Sequence, residues 1–171
     1  FKVPTGASDG IGLWGYIAAA EELKTDIERL NINPGAIVCA TGSGGTQGGL
    51  TVGAEIHQLG CKVWGVNVCD DEQYFIDKVR EDVSDWQQRY AQGYRYENIE
   101  VNVIDGYVGP GYGKATPEIF QTIATMASSE GIVLDPVYTG KAFHGLIQEL
   151  EAGRFNDCDD LIFVHTGGLF G

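Results

Sequence analysis

Ala36-Ile-Val-Cys-Ala40 is an unbroken apolar run of strand length, and it opens directly onto the glycine-rich stretch Thr41-Gly-Ser-Gly-Gly-Thr-Gln-Gly-Gly49. A short apolar run bounded by turn residues marks a strand buried on both faces, the kind found in parallel sheets covered by helices. Parallel neighbours need crossovers, so such a chain must alternate strand and helix. The sequence does so. Leu13, Ile17, Ala20, Leu23, Ile27 and Leu30 fall on one stripe of a helix that Asn33-Pro34-Gly35 breaks. Thr46 to Leu59 reads as the next helix, closed by Gly60, and Lys62 to Val68 as a second strand. Asp70-Asp71 can cap a helix reaching about Tyr90, with Phe75, Val79, Val83, Trp86 and Tyr90 at helical spacing. Ile99, Val101 and Val103 suggest a third strand, Thr116-Pro117 starts a helix that Gly131 ends, and Ile132 to Leu134 suggests a short strand. A further helix runs from about Thr139 to near Gly153, and Leu161 to Val164 reads as the last buried strand. The expected architecture is α/β: three α/β/α layers on a mostly parallel sheet, undivided over residues 1–171, with ligands at the carboxyl ends of the strands.

The charge narrows the partners. Acidic residues outnumber basic ones 24 to 11, a formal charge of -13 that repels phosphate backbones and anionic membranes, so nucleic acid is not expected as a partner. No apolar run approaches the roughly 20 residues a membrane helix needs, and no signal-peptide pattern opens the chain; a cytosolic or organellar location is the expectation. Cys39, Cys61, Cys69 and Cys158 lack both zinc-site spacing and disulfide-scaffold density, so they read as buried reduced thiols, with no metal site. Phe1 is not an initiator methionine and Gly171 follows a glycine-rich motif, so the chain is expected to be part of a longer one.

The glycine stretch is the strongest chemical signal. Glycines let main-chain N–H groups approach an anion, the following helix adds positive partial charge at its amino terminus, and Ser43 and Thr46 add hydroxyls. This is a phosphate cradle that needs no lysine or arginine. The dinucleotide fingerprint is incomplete, because Gln47 stands at its sixth place, although Asp70 follows the second strand where a ribose-binding acid could sit. Gly140-Lys141 fails as a triphosphate loop, since Asp135 and Ala142 occupy required positions. His57 and His144 read as packed or solvated, Trp14, Trp64 and Trp86 as core, and Glu81-Asp82 and Asp157 to Asp160 as solvated faces. A noncatalytic phosphate- or nucleotide-binding domain remains open at this point.

Four strings, Gly42-Ser-Gly-Gly-Thr46, Asp105-Gly-Tyr-Val-Gly-Pro-Gly-Tyr-Gly113, Asp135-Pro-Val-Tyr-Thr-Gly-Lys141 and His165-Thr-Gly-Gly168, stand in the order found in the D-cysteine desulfhydrase and 1-aminocyclopropane-1-carboxylate deaminase family, and Val3-Pro-Thr-Gly-Ala-Ser-Asp9 also resembles it. The resemblance implies a tryptophan synthase β-like fold that binds pyridoxal 5'-phosphate, with this chain as the carboxy-terminal part of the large domain. It further implies that Ser43, Gly44, Gly45 and Thr46 hold the cofactor phosphate and that Thr139 faces the pyridine nitrogen. Tyr112 and Tyr138 would line the substrate side, in acid-base or positioning roles. The deaminase pattern has glutamate after the tyrosine of Asp-Pro-Val-Tyr. Thr139 stands there instead, which suits a neutral ring and β-elimination from D-cysteine better than cyclopropane opening. By the same resemblance the substrate is a small amino acid, the full-length enzyme a homodimer, and the Schiff-base lysine belongs to the amino-terminal half. None of the six lysines here, Lys2, Lys24, Lys62, Lys78, Lys114 and Lys141, has that lysine's setting, so the isolated chain is expected to be inactive.

Overall fold

The computed structural model describes residues 2–93, 96 and 99–167. A short 3-10 turn, Thr5–Ala7, leads into α1 (Leu13–Leu30), followed by β1 (Pro34–Thr41), α2 (Gly45–His57), β2 (Lys62–Asn67), α3 (Glu72–Tyr90), β3 (Asn102–Ile104), α4 (Pro117–Glu130), α5 (Thr139–Glu151) and β4 (Asp160–Val164). The four strands are all parallel, in the order β3-β2-β1-β4.

Alternation along β1 explains the layers. Ala36 and Val38 point to one face, where they meet Ala142 and Leu146 of α5, while Ile37 and Cys39 point to the other and meet Leu50 and Ala54 of α2. Helices α1 and α3 extend the α2 layer through Leu13, Ile17, Phe75, Val79, Val83 and Trp86, and α4 packs beside α5. Burial of side chains such as Phe75 and Trp86 stabilises by roughly 1.5–3 kcal/mol each. The expected three-layer α/β/α fold is therefore present. No described helix is long and apolar enough to cross a membrane.

Helix ends follow local chemistry. Asp71 caps α3 by accepting the Tyr74 N–H (2.8 Å), Pro117 occupies the first turn of α4, and Gly131 closes α4 with φ 69°. Helix α2 stops two residues short of Leu59, because Gln58 already adopts the left-handed conformation at φ 55°.

Several expectations give way to tertiary context. Residues 132–134 form no strand, and Ile132 and Val133 are exposed. The third strand begins only at Asn102, although Ile99 and Val101 are buried, and β4 is half-buried along its whole length because it is the sheet edge. Leu30 and Trp14 are exposed rather than core: Leu30 is the last residue of α1, and Trp14 lies at the outer edge of the α1–α3 contact, where its ring meets Trp86 and Tyr90 edge to face at 5.6 and 5.8 Å. Of the four thiols, all free, Cys39 alone is buried.

Candidate active site

The chain leaves β1 toward β2, while β4 pairs with the other side of β1, so the carboxyl end of β1 is a switch point of the kind where open α/β sheets bind ligands. A cavity of about 630 Å³ opens there, within the range of small-molecule sites. Its wall is built from chain segments remote in sequence: Thr5 and Gly6, Gly42, Ser43 and Thr46 after β1, Cys69 and Asp70 after β2, Tyr112 after β3, Tyr138 before α5, and Thr166 after β4.

The cradle is built by backbone conformation. Gly44, at φ 91°, turns the chain left-handed immediately before α2, a conformation that side chains resist, and the first N–H groups of α2 have no partner within the helix. A side chain at Gly42 would meet the Tyr138 ring at 2.9 Å, so the loop and the tyrosine are in close packing. Beneath the loop, Ser8 Oγ sits between the Ser43 carbonyl and the Asp82 carboxylate (2.7 Å), and Lys78 pairs with Asp82 while reaching the Ser8 carbonyl at 3.2 Å. Asp82 is thus buried, not part of a solvated face as the acidic pattern suggests. A run of charges on an amphipathic helix does not reveal which one turns inward.

Tyr112 and Tyr138 come together across 26 positions, their hydroxyls hydrogen-bonded and their rings edge to face at 6.0 Å. The bond to Tyr112, reinforced by burial, pushes the Tyr138 phenol up to about 12, so Tyr138 keeps its proton at neutral pH. Tyr138 is held from behind. Asp135 accepts the N–H groups of Val137 (2.7 Å), Tyr138 (2.6 Å) and Thr139 (2.8 Å) and the Thr139 hydroxyl (2.7 Å). Burial raises the Asp135 pKa, but these bonds outweigh it and hold the carboxyl below the usual range. Burial also pushes the Cys69 thiol up to about 11, which keeps it protonated on the cavity wall.

Ser43, Thr46, Tyr112 and Tyr138 therefore share one cavity, with Gly44 and Gly45 buried behind the loop. Thr139 does not line it. Thr139 is 1% exposed, with its hydroxyl bonded to Asp135, and the wall hydroxyl at the end of β4 is that of Thr166. His165 turns away, its Nε2 donating to the Val133 carbonyl (2.9 Å). Gly168 lies outside the described residues. Ser8 and Thr5 escaped sequence reasoning as support and wall, although both lie in the Val3 to Asp9 stretch that carries part of the resemblance. Among the described residues no cluster of acidic, histidine or cysteine side chains could hold a metal ion.

An anion cradle without basic side chains, a pocket of this size and an aromatic wall fit a phosphate-bearing aromatic ring. Comparison with known proteins is decisive, because the family described as "Pyridoxal-phosphate dependent enzyme" matches residues 2–167. The chain belongs to that family. Among pyridoxal-phosphate enzymes it is 38% identical over 179 residues to the bifunctional D-cysteine desulfhydrase/1-aminocyclopropane-1-carboxylate deaminase of Arabidopsis thaliana, covering 100% of this chain and 42% of that protein. It is 35% identical over 169 residues to the D-cysteine desulfhydrase of Salmonella newport, covering 98% of this chain and 50% of the relative. The solved structure of a 1-aminocyclopropane-1-carboxylate deaminase homologue superposes with a TM-score of 0.86 at 34% identity, over 98% of this chain and 49% of that one. A fungal L-serine ammonia-lyase from Rhizomucor miehei, at 15% identity and a TM-score of 0.62, over 91% of this chain and 51% of that one, shares the fold. The chain spans about half the length of the curated relatives it matches.

Proposed function

We propose that the full-length protein is a D-cysteine desulfhydrase, converting D-cysteine and water to pyruvate, ammonia and hydrogen sulfide, and that this chain supplies the phosphate cradle and one wall of the substrate site. Pyridoxal phosphate, when bound, supplies the electron sink that allows bonds at the substrate α-carbon to break. Ser43, Gly44, Gly45 and Thr46 would hold its phosphate through main-chain N–H groups and the Thr46 hydroxyl. Tyr138 Oη, which keeps its proton at neutral pH, would present that proton toward the departing sulfur, with Tyr112 fixing its direction. A homodimer and an inactive isolated chain are part of the same proposal.

The observation that carries the choice of reaction is Thr139. The deaminase pattern carries a glutamate after the same Asp-Pro-Val-Tyr, whereas this chain offers a hydroxyl there, buried and bonded to Asp135. Position 139 therefore supplies no carboxylate to stabilise a protonated ring, and a neutral ring suits β-elimination, where a stable thiolate leaves. The supporting relatives carry both activities in their names, so deamination of 1-aminocyclopropane-1-carboxylate is the rival. Sulfide release by the full-length protein from D-cysteine, with L-cysteine as control, separates them. D-selective release is expected. Turnover of 1-aminocyclopropane-1-carboxylate without sulfide release would replace the proposal with its rival.

A further inference from the structure

Lys141 stands in the first turn of α5, is 0% exposed, and has no carboxylate partner among the ion pairs of the described residues. Its Nζ donates instead to three main-chain carbonyls: Val108 at 2.7 Å, Gly111 at 2.9 Å and, at a longer 3.5 Å, Val68. This is a costly place for a cation. Burial without a counter-ion penalises the charge, and the helix amino terminus adds positive partial charge of its own. Packing alone would be served by methionine. The carbonyls, however, belong to two segments that reach the cavity, since Val68 precedes Cys69 and the loop of Val108 and Gly111 runs into Tyr112, and Lys141 itself lies three residues after Tyr138.

We propose that the Lys141 ammonium is a built-in cation that clamps the loop of Val108 and Gly111 to the end of β2, and that this clamp sets the Tyr112 hydroxyl against Tyr138 over the cavity. Lys141 is a positioning residue, since it does not line the cavity and reaches the site only through the main chain. Gly111 shows why a clamp is needed. Its φ of 137° sits in a loop with further left-handed turns at Gly106, Gly109 and Gly113, and the loop's own main-chain support is the bond from Lys114 N–H to the Gly111 carbonyl (3.2 Å). A ring of carbonyls around a single positive charge is also the environment that a potassium or ammonium ion accepts.

The inference rests on the reading of the cavity as a cofactor and substrate site, and two variants of the full-length protein with bound pyridoxal phosphate test it. Lys141→Ala removes both stem and charge and leaves room for an ion, whereas Lys141→Met fills the stem volume without charge. Both should bind the cofactor while kcat/KM falls about a hundredfold, the scale of a roughly 1 Å misplacement at a reacting centre. Hydrogen exchange across residues 108–114 should quicken about tenfold or more, as expected for a lost charge-assisted hydrogen bond. Potassium or ammonium, but not choline, should reverse both effects in Lys141→Ala and neither in Lys141→Met. Combining Lys141→Ala with Tyr112→Phe should cost little beyond Tyr112→Phe alone, because both act through one hydroxyl. Wild-type kinetics and exchange in the variants, losses in Lys141→Ala indifferent to potassium and ammonium, or additive losses with Tyr112→Phe would overturn the clamp. Should Lys141→Ala fold poorly, its soluble yield replaces kinetics, and a yield independent of ammonium would overturn it equally. If the wild-type protein turns over neither amino acid, the functional reading fails by itself, while exchange and its cation response still decide the clamp.

Discussion

Gly42→Ala perturbs the site by one methyl group whose effect follows from distance. The added carbon would lie 2.9 Å from Cε1 and 3.3 Å from Cδ1 of Tyr138, and 3.3 Å from Cγ2 of Val68. Carbon pairs rest at about 3.5–4.0 Å, so the ring must retreat by roughly 0.6 Å or more. The backbone is no obstacle, because Gly42 is not among the positive-φ residues and alanine can adopt its conformation. Val68 is buried and cannot yield, whereas Tyr138 is 39% exposed, so the displacement falls on the tyrosine and pulls its hydroxyl from Tyr112. Overpacking of this kind costs about 1–3 kcal/mol, which the exposed ring should hold near the lower bound, a fall in Tm of roughly 1–2 °C for a full-length protein about twice as long as this chain. Activity should suffer far more, by about a hundredfold if the ring moves on the scale of 1 Å. Steady-state kinetics on the full-length protein, with cofactor affinity and Tm measured in parallel, check this. A kcat/KM within twofold of wild type would refute the assignment of Tyr138 to the substrate side.

Two further perturbations follow from the same geometry. Asp135→Asn should lower stability by about 2 kcal/mol, since a charged acceptor of four hydrogen bonds is replaced by a neutral one. The folded carboxyl has the lower pKa, so its stabilisation is complete above the unfolded value of about 3.9 and is lost as pH falls through the folded one. Thermal melts of the variant should lack that acid-side decline, and identical pH profiles would refute the role of Asp135. Ser8→Ala should weaken pyridoxal-phosphate binding about tenfold through the Ser43 loop, because it leaves the buried Asp82 carboxylate one donor short. Fluorescence titration measures this, and unchanged affinity would sever the Ser8 support from the cradle.

Much of this architecture was legible locally. The apolar run of β1, the glycine stretch and the caps at Asp71, Pro117 and Gly131 each depend on a few adjacent residues, and each appears where the pattern places it. The strand expected at Ile132 to Leu134 failed because three apolar residues lack a pairing partner on this sheet, and Ile132 and Val133 stay exposed. Leu161 to Val164 did form a strand, yet its burial depended on a second neighbour that the sheet edge does not provide.

The α/β class, the anion cradle and the family could all be read from the order of residues, because motif spacing and hydrophobic period are properties of a short stretch of chain. Folding in three dimensions was needed to establish that Tyr112 meets Tyr138, that Thr139 gives its hydroxyl to Asp135 and leaves the wall to Thr166, that Asp82 turns inward beneath the loop, and that Lys141 lies buried among carbonyls. All but the Thr139–Asp135 bond join residues from separate crossovers. Which donor finds which acceptor there depends on sheet order and on the desolvation of each group, and neither is written in the spacing of one segment.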